Sequence, residues 1–202
     1  MAFAGGATVA NLYYNQPLLA IMAQSFQASP HAIGFIPMLT QIGYATGILL
    51  FVPLGDLTEQ RRLIVTMLGA TAVTLALAAI AQNLSWLVIA HFGIGMTGIA
   101  AQVMVPFATQ LTPAPDRGKV VGTIMGGLLV GILLARTVSG FVGAIWGWKA
   151  MYWLASGLML VLTVTLLRAL PRHQPGLQAS YLSLMRSLVR LIRKQPVLQE
   201  GL

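Results

Sequence analysis

The stretch Val120–Ile145, VVGTIMGGLLVGILLARTVSGFVGAI, decides how this chain is read. At about 1.5 Å per residue it is long enough to cross a bilayer core of roughly 30 Å as one helix. Its single ionisable residue, Arg136, falls about 24 Å from Val120 and about 14 Å from Ile145 on that rise. A guanidinium at that depth is costly and belongs against protein or water rather than lipid. Snorkelling to the nearer interface is one competing reading, and bonding to helix carbonyls is another. Helical side chains lean toward the helix N-terminus, here the far side, so Arg136 leans toward the bilayer centre. Gly140 and Gly143 leave room on its face. Gly127, Gly131, Ala135 and Ser139 recur every four residues as a ridge on which a second helix can approach closely. A charge on one side and close packing on another describe a helix that lines a pathway.

The composition extends this to the whole chain. Of 202 residues, 57% are hydrophobic and only 8% charged, with a mean hydropathy of +0.80, where soluble domains carry about a quarter of charged residues. A soluble domain is excluded, and the chain reads as an all-α polytopic membrane protein. Six apolar segments follow one another at about Phe3–Phe26, Ile33–Leu54, Leu63–Ala81, Trp86–Leu111, Val120–Ile145 and Ala150–Leu170, so residues 1–170 form the bundle. Short polar turns such as QASPH, GDLTEQRR and QNLS join them. The first stretch lacks Lys and Arg and has no cleavage pattern, so it is expected to be retained. The absence of cysteine removes disulfides and thiolate metal sites, and no cofactor is expected.

Charge sets the orientation. With a cytoplasmic N-terminus, Arg61, Arg62, Arg117, Lys119, Arg168, Arg172, Arg186, Arg190, Arg193 and Lys194 all lie inside, and only Lys149 lies outside. The net +8 therefore needs no nucleic-acid partner. All four acids, Asp56, Glu59, Asp116 and Glu200, also fall inside, and none is in an apolar segment. Residues 171–202 form a cytoplasmic linker in which Leu177, Tyr181, Leu184, Leu188, Leu191 and Ile192 oppose Arg186, Arg190, Arg193 and Lys194, the pattern of a basic amphipathic helix on the membrane face. A solvated linker helix and a calmodulin-like target are the weaker alternatives.

Polar faces mark four of the six segments. In segment 1, Asn11 and Asn15 share a face with Tyr14 at its edge, while Tyr13 and Gln16 point elsewhere and Pro17 kinks the helix. Segment 2 aligns Pro37, Gln41 and Tyr44; segment 4 aligns His91, Gly95, Gly98, Gln102 and Thr109. Each amide can contact solute or serve as interhelical glue. His91 can carry a proton or pack near the outer interface. Segments 3 and 6 lack such stripes and are expected to face lipid. Two pathway helices and a peripheral one in each trio predict six transmembrane helices as a 3+3 inverted repeat.

With those residues in place, the chain resembles the N-terminal six-helix half of a major facilitator superfamily (MFS) transporter. Leu54-Gly55-Asp56-Leu57-Thr58-Glu59-Gln60-Arg61-Arg62 is similar to the loop signature between helices 2 and 3, with Val52 for its leading Gly and Glu59-Gln60 for the usual Gly and Arg. His91-Phe92-Gly93-Ile94-Gly95-Met96-Thr97-Gly98 matches the helix 4 signature with His91 for its Arg, and Gly147-Trp148-Lys149 resembles the turn before helix 6. In helix 5, Ile132 replaces the Pro and Ala135-Arg136 the Gly pair of the antiporter signature. ANLYYNQPLL together with LLARTVSG is similar to bacterial permeases described as sugar-efflux-like or multidrug-efflux-like. The resemblance implies a cytoplasmic charge network of Asp56 and Arg61, with Arg62 beside them, that latches the outward-open state. It also implies residence in a bacterial inner membrane.

The expectation is secondary transport of a small molecule by alternating access, as efflux of a drug-like or sugar-like solute. Asn11, Tyr14, Asn15, Gln41, Tyr44, Gln102 and Arg136 would contact the substrate, and Arg136 would attract an anion or pair with a carboxylate of another bundle. His91 would be the proton-coupling group if this chain supplies one. The partners are lipid bilayer, solute, protons if coupled, and a second six-helix bundle, either a missing C-terminal half or a second copy in a homodimer. A non-transporting membrane fragment and a channel are the alternatives. An intramembrane hydrolase built on Ser139 and His91 lacks both G-x-S-x-G and an orienting Asp.

Overall fold

The computed structural model describes residues 1–171, with the Asp56 side chain excepted, so the amphipathic tail helix lies outside the described residues. Segment 1 is two helices, α1 (Ala2–Ala10) and α2 (Asn15–Phe26). Segment 2 is a short α3 (Pro30–Ile33) continued by α4 (Phe35–Phe51), and α5 (Leu54–Leu57) forms part of the following loop. Then come α6 (Gln60–Ala79), the pair α7 (Leu84–Thr97) and α8 (Ala100–Gln110), α9 (Arg117–Trp146) and α10 (Trp148–Ala169). No strand occurs among the described residues. Five spans, the α3–α4, α6, α7–α8, α9 and α10 regions, are long and apolar enough to cross a membrane. The first segment has the composition but is divided into pieces of 9 and 12 residues.

Local chemistry explains the element ends. Ser29 caps α3 by accepting from the Ala32 amide at 3.2 Å, with Pro30 at the first position. Asn83 caps α7 through the Trp86 amide at 2.8 Å. Gly147, at φ +79°, ends the 30-residue α9 and lets α10 turn back at once, a backbone region that favours glycine.

The division of segment 1 differs from the continuous, kinked helix expected, and proline is the cause. A helix through Pro17 would set its ring against the carbonyl of Tyr13, four residues back. The chain instead tightens over Asn11–Tyr14, where the amides of Asn11, Leu12 and Tyr13 reach back three residues at 3.3, 3.1 and 3.0 Å. The helix restarts at Asn15, so Pro17 falls in a first turn that needs no donor. Pro37 likewise falls in the first turn of α4. Segment 4, also expected to be continuous, breaks at Gly98–Ile99. Segments 1 and 4 each open a trio of the expected repeat, and discontinuous helices in corresponding positions are what transporter folds use around a binding site.

Three pairings hold the bundle: α4 on α7, α1 on α9, and α6 on α10. Exchanging segments 1 and 4, 2 and 5, and 3 and 6 carries this set of pairings into itself, as two three-helix repeats require. Glycines set the first two pairings. A Cβ on Gly127 or Gly131 would strike the backbone of Ala2 or Gly6, and one on Gly43 or Gly47 would strike that of Phe92 or Met96. Ala135 and Ser139, further along the same α9 ridge, are also buried. In the third pairing, the Ser156 hydroxyl donates to the Ala72 carbonyl at 2.8 Å. Segments 3 and 6 keep apolar outer faces, with Val73 and Leu77 on one and Leu154, Val161 and Val164 on the other exposed. Yet segment 3 is 50% buried over its most apolar window, against 22% for segment 5. A narrow glycine contact covers little of the circumference of α9, whereas α6 is covered by both α7 and α10.

Candidate solute site

The polar residues expected along the pathway separate into an exposed set and a buried set. Tyr44 of α4 and Gln102 of α8 meet directly, the Gln102 Nε2 donating to the Tyr44 hydroxyl at 2.7 Å. Gln102 remains exposed, as does Gln41 one turn before Tyr44. Gln102 meets Tyr44 from the start of α8, just past the helix break at Gly98–Ile99, while Gly95, seven residues earlier in α7, lies against the backbone of Thr40.

Arg136 is exposed on α9, its guanidinium carbon 5.9 Å from the centre of the Tyr13 ring. That ring is its one recorded side-chain partner among the described residues. Tyr13 was expected to point away from the polar face. The tight turn over Asn11–Tyr14 advances the chain faster than 100° per residue, which breaks the register counted from a continuous helix. Pro17, four residues on, is the sequence signal that marks this turn.

Asn11, Tyr14 and Asn15 lie inside the bundle rather than on the open face, at 1%, 6% and 1% exposure. The Asn11 side-chain amide donates to the carbonyls of Ala7 and Thr8, both at 3.1 Å, and to the Met159 sulfur at 3.3 Å. It thereby adds a donor to carbonyls of the last turn of α1, the Thr8 carbonyl also accepting from the Asn11 backbone amide. Asn15 donates to the Thr40 hydroxyl at 3.2 Å, and Thr40 donates on to Ile36. These bonds tie segment 1 to segments 6 and 2.

His91 is buried between α7 and α10. Its Nδ1 is 2.8 Å from the Leu87 carbonyl and its Nε2 2.8 Å from the Tyr152 hydroxyl. A carbonyl only accepts, so a ring with its proton on Nδ1 donates to Leu87 and accepts from Tyr152, satisfying both. Tyr152 stacks edge-on against His91 and Trp148, and the Trp148 indole N–H donates to Ser25. Ser139 is fully buried and donates to the Arg136 carbonyl at 3.4 Å. With Ser139 and His91 each bonded elsewhere, they form no nucleophile–base pair.

At the opposite end of α10, the Arg61 guanidinium donates to the Leu167 carbonyl. Arg62 is exposed, and Asp56 lies in α5. Glu59, Arg61, Arg62, Thr66 and Leu167 border a cleft of about 190 Å³. Arg61 thus joins the signature loop to the end of segment 6.

Comparisons with known proteins agree with this architecture. The profile of the Major Facilitator Superfamily matches residues 1–199. The putative uncharacterized transporter YgaY of Escherichia coli strain K12 is 41% identical over 199 residues, covering 98% of this chain and 50% of that protein. The probable transporter SCO4007 of Streptomyces coelicolor is 29% identical over 97% of this chain and 46% of its own length. The crystal structure of a D-xylose–proton symporter superposes with a TM-score of 0.69 at 19% identity, over 96% of this chain and 50% of that one. The chain therefore spans about half the length of the relatives it matches. It is an integral membrane protein, and it belongs to the major facilitator superfamily.

Proposed function

We propose that the chain is the N-terminal six-helix half of a secondary transporter that moves a small anionic or strongly polar solute by alternating access. The observation that carries this reading is Arg136, exposed within a 30-residue apolar helix and faced by one aromatic ring. Lipid does not accommodate such a group, so a water-filled vestibule does. The Tyr13–Arg136 and Tyr44–Gln102 pairs would line that vestibule with Gln41, supplying one cation and several hydrogen-bonding groups. The helix breaks at Asn11–Tyr14 and Gly98–Ile99 support a site at that depth. Asn11 and Asn15 are assigned to packing, and His91 to joining α7 and α10 rather than to proton transfer.

The loop signature and the basic residues support an orientation with the N-terminus and the linker on the cytoplasmic side of a bacterial inner membrane. A second six-helix bundle completes the vestibule, in a longer polypeptide rather than in a homodimer, because the full-length relatives are about twice as long. Export is the direction suggested by the permeases that segments 1 and 5 resemble. The test is Arg136→Met in the transport-competent protein. Solute flux is lost while membrane insertion and expression stay at the parental level; unchanged flux in the variant defeats the reading.

A further inference from the structure

Where α6 begins and α10 ends, Arg61 and Arg62 border the cleft of about 190 Å³. Both helices are apolar spans, so their common edge lies at the level where hydrocarbon gives way to lipid headgroups. Arg61 is fixed there by its bond to the Leu167 carbonyl, one of those that the end of α10 leaves free. A guanidinium carries five N–H donors, so most of that fork remains available. Arg62 is exposed, and among the described residues no carboxylate pairs with either guanidinium. Glu59 on the same rim offsets one of the two charges, and Arg168, exposed next to Leu167, restores the positive excess.

Two apolar stripes leave this cleft along the outside of the bundle. On α10, Leu167 in the cleft wall is followed by Val164 and Leu160, all exposed and on one face. On α6, Thr66 on the rim is followed by exposed Val73 and Leu77, seven and eleven residues on and again on one face. Gly69 lies against the methyl group of Thr163, so the two helices close up beneath the cleft. A free anion would use the arginines alone. A phospholipid uses the arginines and the stripes together, and basic pockets between transmembrane helices are where anionic headgroups bind.

We propose that the α6–α10 cleft holds the headgroup of an anionic phospholipid, with its phosphate at Arg61 and Arg62 and its acyl chains along the outer faces of α6 and α10. The site is separate from the Arg136 vestibule. It needs only the membrane-embedded fold and does not depend on the transport reading.

The probe is phosphatidylglycerol with a photoactivatable diazirine in one acyl chain, incorporated with the full chain into phosphatidylcholine vesicles. After illumination the adducts are mapped by mass spectrometry, and they concentrate on residues 66–77 and 160–167. Arg62→Gln, at an exposed position where folding is not at stake, lowers this labelling about fivefold, the equivalent of about 1 kcal/mol for one arginine near an anionic headgroup. Glu59→Gln removes the opposing charge and raises it, a gain that misfolding does not produce. Arg117→Gln, a basic position on α9 outside the cleft, leaves it unchanged. A phosphatidylcholine probe with the same chains labels these residues weakly, and inorganic phosphate does not compete. Wild-type labelling in Arg62→Gln, an equal loss in Arg117→Gln, or adducts confined to residues beyond 171 overturns the proposal. Equal labelling by the phosphatidylcholine probe would leave only a lipid-facing surface, and displacement by inorganic phosphate would make this a site for a free anion; either result overturns it too.

Discussion

A guanidinium at the centre of a bilayer costs about 2.5–3.5 kcal/mol on insertion scales, and a single cation–π contact offsets about 0.5–2 kcal/mol of that. The Tyr13 ring at 5.9 Å therefore does not by itself keep Arg136 in the membrane; water or an anion has to do the rest. Arg136→Lys keeps the charge but loses the planar fork, so the expected result is flux reduced about tenfold with a raised KM, where Arg136→Met abolishes it. Tyr44→Phe removes the acceptor for Gln102, whose net worth is about 0.5–1.5 kcal/mol, and should raise KM about two- to tenfold with kcat little changed. At His91 the prediction concerns stability. His91→Leu and Tyr152→Phe each lower the thermal midpoint, the double variant loses less than the sum, and the pH profile of flux does not move. A flattened pH profile in His91→Leu would restore it as a proton carrier. Residue identity alone made the proposed vestibule partly legible: Arg136, Gln41 and Gln102 are exposed polar groups on apolar helices, and Tyr44 is half-buried beside Gln102. For Asn11 and Asn15 the sequence leaves packing and solute contact open, because an amide suits both equally; their burial favours packing.

Among the elements, α9 shows most plainly how sequence becomes packing. The ridge Gly127, Gly131, Ala135 and Ser139 can be read from four-residue spacing; its glycines are where α1 meets α9, and its other two residues are buried. Gly131→Leu forces a side chain into the Gly6 backbone and should destabilise the protein by about 3 kcal/mol or more. Gly126→Leu, which meets nothing within 4 Å, should stay within about 0.5 kcal/mol of the parent. Thermal unfolding in detergent compares the two, and equal loss in both would remove the close α1–α9 contact as the stabilising feature. Six apolar segments were legible because length and hydropathy suffice. The break at Asn11–Tyr14 was half legible, through Pro17, although a proline acts on the turn before it and the disruption therefore lies upstream. The break at Gly98–Ile99 was not legible, since a glycine inside a helical pattern reads equally as a packing site. The burial of segment 3 was hidden for a related reason: an apolar helix without a polar stripe suits either lipid or neighbouring helices.

At the scale of the whole molecule, glycine contacts join α1 to α9 and α4 to α7, leaving the polar pairs on surfaces that a second bundle can enclose. The proposed orientation predicts that, in intact cells, an impermeant thiol reagent labels Lys149→Cys and labels Arg62→Cys only after permeabilisation; the reverse pattern would invert the topology. Because the chain has no cysteine of its own, the same chemistry reaches the central claim directly. Arg136→Cys is compared with Leu134→Cys, an exposed position about 200° round the helix from it, for the rate of reaction with a small, charged, water-soluble methanethiosulfonate in membranes. A wetted vestibule predicts that position 136 reacts at least about tenfold faster than position 134, since the thiolate that reacts is a charged species that lipid disfavours. Equal, negligible rates at both positions would place Arg136 in lipid and contradict the account.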